Sequence, residues 1–132
     1  MAEYTMREVC LEVGMTYEGL KFYCKEGLIP NVKRDANNYR VFDERNLAWI
    51  KGLQCLRKCG MSIKEMRQYM EYCLVGKDSI PDRNVMLEET KKALNEKIRE
   101  AEECLRYIEE KQQFYQDVLD GKLPYRSNLI DT

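Results

Sequence analysis

The sequence predicts a mainly α-helical fold, a winged helix-turn-helix head followed by one long helix of coiled-coil type. Three observations carry this. A helix-start pattern recurs along the first half, with a Ser or Thr cap and flanking apolar residues, as in "YTMREV", "MTYEGL" and "MSIKEM". A stretch "NNYRVF" combines a turn signal with β-compatible alternation. Between Pro81 and Gly121 there is no Gly or Pro, and apolar residues recur every seven positions.

The elements follow in order. Thr5 with Glu8 three residues on makes a capping box, with Tyr4 and Val9 spaced as a hydrophobic staple. Gly14 stops this helix. Thr16 caps the next, Met15 and Leu20 form its staple, and Gly27 and Pro30 close it. Two short helices joined through a glycine turn form a helix-turn-helix. Residues 32 to 42 read as a hairpin, or wing, with Lys33, Arg34 and Arg40 near its tip. Asp43 caps a third helix whose Leu47, Ile50, Leu53 and Leu56 form an inward stripe ending at Gly60. Ser62 with Glu65, and Met61 with Met66, start a fourth helix that runs to about Leu74. "KDSIPDR" reads as a linker, with Pro81 in the first turn of the last helix.

That last helix carries the heptad. Leu87, Leu94, Ala101, Ile108 and Tyr115 occupy one seam position. Ile98, Leu105 and Leu119 occupy the other, together with the polar Lys91 and Gln112. A helix of roughly 38 residues is about 57 Å long. A head of this size cannot cover such a stripe, so a second copy of the chain is the expected partner. The expected organisation is therefore a winged helix-turn-helix head over 1–76, a linker and dimerisation helix over 77–121, and a short tail over 122–132.

Composition narrows the chemistry. The formal net charge is -1, unevenly spread. Residues 21–58 carry nine Lys/Arg against four Asp/Glu, whereas residues 77–132 carry ten against thirteen. The basic half suits a polyanion and the acidic half suits water. No run of 18 apolar residues and no signal-type segment is present, so a soluble cytoplasmic protein is expected. There is no histidine, which removes Ser/His and Cys/His catalysis and argues against an enzyme. No cofactor is expected. Six cysteines are present with no CxxC pair, pointing to reduced thiols.

"YTMREVCLEVGMTYEGLKFYCKEGLIP" followed by "NNYRVFDERNLAWIKGLQCLRKCGMSIKEM" resembles the MerR family of bacterial transcription regulators, continuously over residues 4 to about 72. The resemblance implies a homodimer joined by an antiparallel coiled coil, with two winged heads on double-stranded promoter DNA. It also implies distortion of a promoter whose spacer is too long, an act that reaches RNA polymerase indirectly. It places the second helix in the major groove. On it Thr16, Tyr17, Lys21 and Tyr23 are expected to face DNA, with Lys33, Arg34, Tyr39 and Arg40 on the wing. Phe22, adjacent to Tyr23 and so on another face, is expected in the core. The chain departs from the family's "RTLRYYE" by reading "EGLKFYC", with Glu18 either accepting from cytosine or lying off the DNA surface.

Among the cysteines, Cys10 and Cys59 are expected to be packed, Cys73 near the linker to be accessible, and Cys104 to flank the seam. Cys55 lies off the Leu47–Leu56 stripe, with Lys51 and Lys58 one turn away and Arg57 close by, a cationic setting of the kind reactive thiols need. Family members that respond to aldehydes or thiol-reactive electrophiles look similar here, which makes Cys55 the candidate sensor. Metal-responsive relatives carry a cysteine at the start of the long helix and a cysteine loop after it. Residues 77–103 have none, so no metal site is expected. About twelve residues follow the coiled coil, so no large drug-binding domain is expected. The competing reading is a coiled-coil adaptor or redox-active interaction protein with a vestigial helix-turn-helix.

Overall fold

The computed structural model describes residues 2–132. Helix starts are set by side-chain caps. Thr5 and Glu8 form a reciprocal capping box on α1, Met6–Val13, which Gly14 ends in a left-handed conformation at φ 71°. Thr16 caps α2, Tyr17–Lys25, by accepting from the Gly19 amide. Asp43 and Asn46 box the start of α3, Glu44–Lys58, and Ser62 and Glu65 that of α4, Ile63–Val75.

The wing is shorter than its expected span. Strands β1, Lys33–Arg34, and β2, Arg40–Val41, pair antiparallel with Lys33 opposite Val41 and Arg34 opposite Arg40. The three cations thus sit on the strands and the tip is Asp35–Tyr39. Tyr4, expected as a staple residue, extends this ladder. Its amide and carbonyl both bond those of Phe42, at 2.7 and 2.9 Å.

One core joins these pieces. Val9, Leu20, Leu28, Phe42, Ile50, Leu53, Met61 and Met66 are fully buried. Each such side chain contributes about 1.5–3 kcal/mol through burial. Phe42 anchors the wing in this core. Two long-range hydrogen bonds set the angle of α3. Trp49 Nε1 donates to the Leu28 carbonyl at 2.7 Å, and Gln54 Nε2 to the Val13 carbonyl at 2.9 Å. A side-chain ion pair between Arg67 on α4 and Glu26 at the end of α2 braces the second helix from below.

The segment read as a linker is an ordered turn. Lys77–Ser79 forms one 3-10 turn and passes directly into α5, Ile80–Leu119. Ser79 is buried, donates to the Tyr72 carbonyl, and accepts from Arg83 Nε at 2.9 Å. Arg83 also donates to the Gly76 carbonyl. These bonds satisfy backbone groups that a loose linker would leave to water. Cys73, expected to be accessible near the linker, is half-buried.

The chain forms two compact units, one up to Lys91 and one from Lys92 to Thr132. The first includes Met86, packed against the core. In the second, Arg99 pairs with Glu96 and, at 3.2 Å, with Glu103 along the solvent face. Gly121, at φ 75°, ends the helix. With 40 residues, α5 is about 60 Å long. Among the described residues, no helix is long and apolar enough to cross a membrane.

Candidate nucleic-acid interface

Helix α2 presents one face to the core and one to solvent. Leu20 and Tyr23 point inward, and Tyr23 is 8% exposed within the hydrophobic cluster. Tyr17, Glu18, Phe22 and Lys25 are exposed, and Lys21 is half-buried. This differs from two expectations: Tyr23 is buried where a surface position was expected, and Phe22, 45% exposed, is not in the core. The reason is helical phase. Leu20 is inward, residue i+3 shares its face, and residue i+2 is rotated by about 200° from it. The Met15–Leu20 staple already fixed that phase in the sequence.

The wing tip is organised by one carboxylate. Asp35 Oδ1 accepts from the Asn37 amide at 2.9 Å and the Tyr39 amide at 3.0 Å. This is the local turn chemistry that aspartate offers the backbone. Asn38 takes the left-handed conformation, φ 65°, which Asn tolerates better than most residues. Arg34 donates to the Asn38 carbonyl at 2.8 Å, so its guanidinium braces the turn.

Between α1, the start of α2 and the wing lies a groove of about 640 Å³. Arg7, Tyr17, Lys33, Arg34, Tyr39 and Arg40 line it, along with Glu3 and Asp35. Five of the eight residues expected to face DNA are thereby gathered on one concave surface. Thr16 is exposed beside it as the α2 cap, Lys21 lies outside the lining, and Tyr23 is withdrawn into the core. Arg7 was missed by sequence reasoning. It is the sole Lys or Arg in the first twenty residues, and no motif marks it. Four cations against two carboxylates make the groove attractive to a polyanion, and the tyrosine hydroxyls can bond phosphate oxygens.

The cysteines separate by burial. Cys55 on α3 and Cys104 on α5 are exposed, and the other four are half-buried. Burial pushes the Cys10 and Cys24 thiols up, with Arg40 and Arg34 partly opposing this at Cys24. Among the described residues, no group of three or more metal-ligating side chains comes together.

A helix-turn-helix, a wing and a basic groove define a winged helix-turn-helix regulator. Residues 4–73 match the family model described as MerR HTH family regulatory protein. An uncharacterised HTH-type transcriptional regulator of Haemophilus influenzae is 37% identical over 113 residues, covering 86% of this chain and 84% of that one. The HTH-type transcriptional regulator AdhR of Bacillus subtilis is 32% identical over 67% of this chain and 64% of its own. Among solved structures, HiNmlR, a MerR family regulator lacking the sensor domain and bound to promoter DNA, superposes with a TM-score of 0.76 at 35% identity. That match covers 90% of this chain and 94% of HiNmlR. The chain belongs to the MerR family of transcriptional regulators.

Proposed function

We propose that the protein acts as a homodimer that binds double-stranded promoter DNA through its two heads and distorts it, so that RNA polymerase is affected indirectly. The observation that carries this is the basic groove, where α1, the start of the recognition helix and the wing set Arg7, Lys33, Arg34 and Arg40 around Tyr17 and Tyr39. The DNA-bound state of HiNmlR, a relative of similar length, supports it. Pairing is supported by the heptad face of α5. Leu87, Ile98, Ala101, Leu105, Ile108 and Tyr115 are exposed and Leu94 half-buried in the single chain. An apolar stripe of that extent favours a partner. The series Leu87, Leu94, Ala101, Ile108 and Tyr115 is symmetric about Ala101, so an antiparallel register centred there would set Leu94 opposite Ile108 of the second copy.

Thiol-reactive or aldehyde stress is the signal this reading favours, with Cys55 as the reacting group. It is exposed on α3, between the wing and α4, where an adduct could shift one head against the other. The test is nuclease protection on the protein's own promoter. Protection of two half-sites, with a spacer whose shortening abolishes regulation, supports the reading. A single short protected site with no dependence on spacer length contradicts it.

A further inference from the structure

Phe22 is a large apolar side chain on the outer face of the recognition helix. It is 45% exposed, and its neighbours on that face are Glu18 one turn before and Lys25 one turn after, with Lys21 alongside. Its ring lies 6.5 Å from that of the buried Tyr23, tilted by 54°, which ties an exposed residue to the core. A singly exposed ring is ordinary on a protein surface, but Phe22 stands on the solvent face of the helix expected to enter the major groove, where base edges would be met.

The chemistry of the ring limits what it can meet there. It has no donor or acceptor, so it can bond neither phosphate nor the polar edges of bases. The apolar feature that a major groove presents is the thymine C5 methyl group. Lys21 and Lys25 on the same helix attract the phosphates that would bring the ring to the groove floor. We propose that Phe22 determines specificity by packing its ring against a thymine methyl in each half-site, favouring thymine over other bases there. This rests on the DNA-binding reading above.

The test uses the full-length protein and a duplex selected by it from a random-sequence pool. Each thymidine is replaced in turn by deoxyuridine, which deletes the methyl and leaves every hydrogen-bonding group in place. The wild type should lose about fourfold in affinity at one position per half-site, the effect of one buried methyl. Phe22→Ala, which removes the contact from both half-sites, should bind the unmodified site at least about 16-fold more weakly and show no further loss with deoxyuridine at that position. Phe22→Leu, which keeps apolar surface, should retain part of the discrimination. The inference is overturned if the wild type is indifferent to every replacement, or if Phe22→Ala keeps the full fourfold loss. Salt-sensitive binding without sequence preference overturns it while leaving the DNA-binding reading intact. No duplex binding at all overturns both.

Discussion

Replacing Asp35 by alanine tests whether the wing tip is held by a single carboxylate. The two hydrogen bonds to the Asn37 and Tyr39 amides, at 2.9 and 3.0 Å, disappear. Each contributes on the order of 1 kcal/mol at an exposed site. The Asp35–Tyr39 backbone pairing at 2.9 Å and the burial of Phe42 remain, so the loss falls on local opening of the tip and not on global unfolding. About 2 kcal/mol of lost local stability should make the Asn37 and Tyr39 amides exchange with solvent roughly 30-fold faster, with Tm nearly unchanged. Asp35→Asn separates structure from charge. It keeps an acceptor oxygen, so the tip should stay closed, and it removes a negative charge from the basic groove. DNA affinity should therefore fall for Asp35→Ala and hold or rise for Asp35→Asn. Wild-type exchange rates at both amides in Asp35→Ala would refute the reasoning. Equal loss of affinity in both variants would show that the carboxylate's charge, not its hydrogen bonds, matters.

Three other outcomes are expected. Arg40→Ala and Arg7→Ala should each weaken binding to all duplexes by a similar factor, read by titration of specific and nonspecific DNA; selective loss at one sequence would mean that the residue reads a base. Leu94→Asp places a charge in the proposed seam and should give monomer in sedimentation at micromolar concentration, with DNA affinity largely lost, whereas a monomeric wild type would remove the coiled coil from the account. Brief treatment with a limiting electrophile, followed by peptide mass mapping, should label Cys55 first, while Cys10 and Cys24, whose thiols burial pushes up, stay slow; earlier labelling of exposed Cys104 would move the sensing role there.

Much of the head was legible because its boundaries are written in local chemistry. Thr5, Thr16, Asp43 and Ser62 cap the helices that their positions promise, and Gly14 and Gly121 stop theirs in left-handed conformations. Such signals depend on a few neighbouring residues and survive without tertiary knowledge. What was lost depends on distant partners. Tyr4 pairs with Phe42 across 38 positions, and no local pattern announces it. Arg7 becomes a groove residue because α1 faces the wing. The ordered turn at Lys77–Ser79 rests on the hydroxyl of Ser79 meeting the Tyr72 carbonyl, seven residues back. The exchange of Phe22 and Tyr23 is different in kind. The family motif drew attention to Tyr23, although the helical phase set by Leu20 placed it inside.

The most direct measurement of the central claim is the salt dependence of duplex binding by the intact protein. Each head offers Arg7, Lys33, Arg34 and Arg40 in the groove and Lys21 and Lys25 on α2. If about half of these engage phosphates in a two-headed complex, log K should fall against log salt with a slope of roughly −5. Arg40→Ala, which removes one cation per head, should make that slope shallower by about two. A slope near zero, unchanged by Arg40→Ala, would contradict a DNA-binding dimer and favour the adaptor.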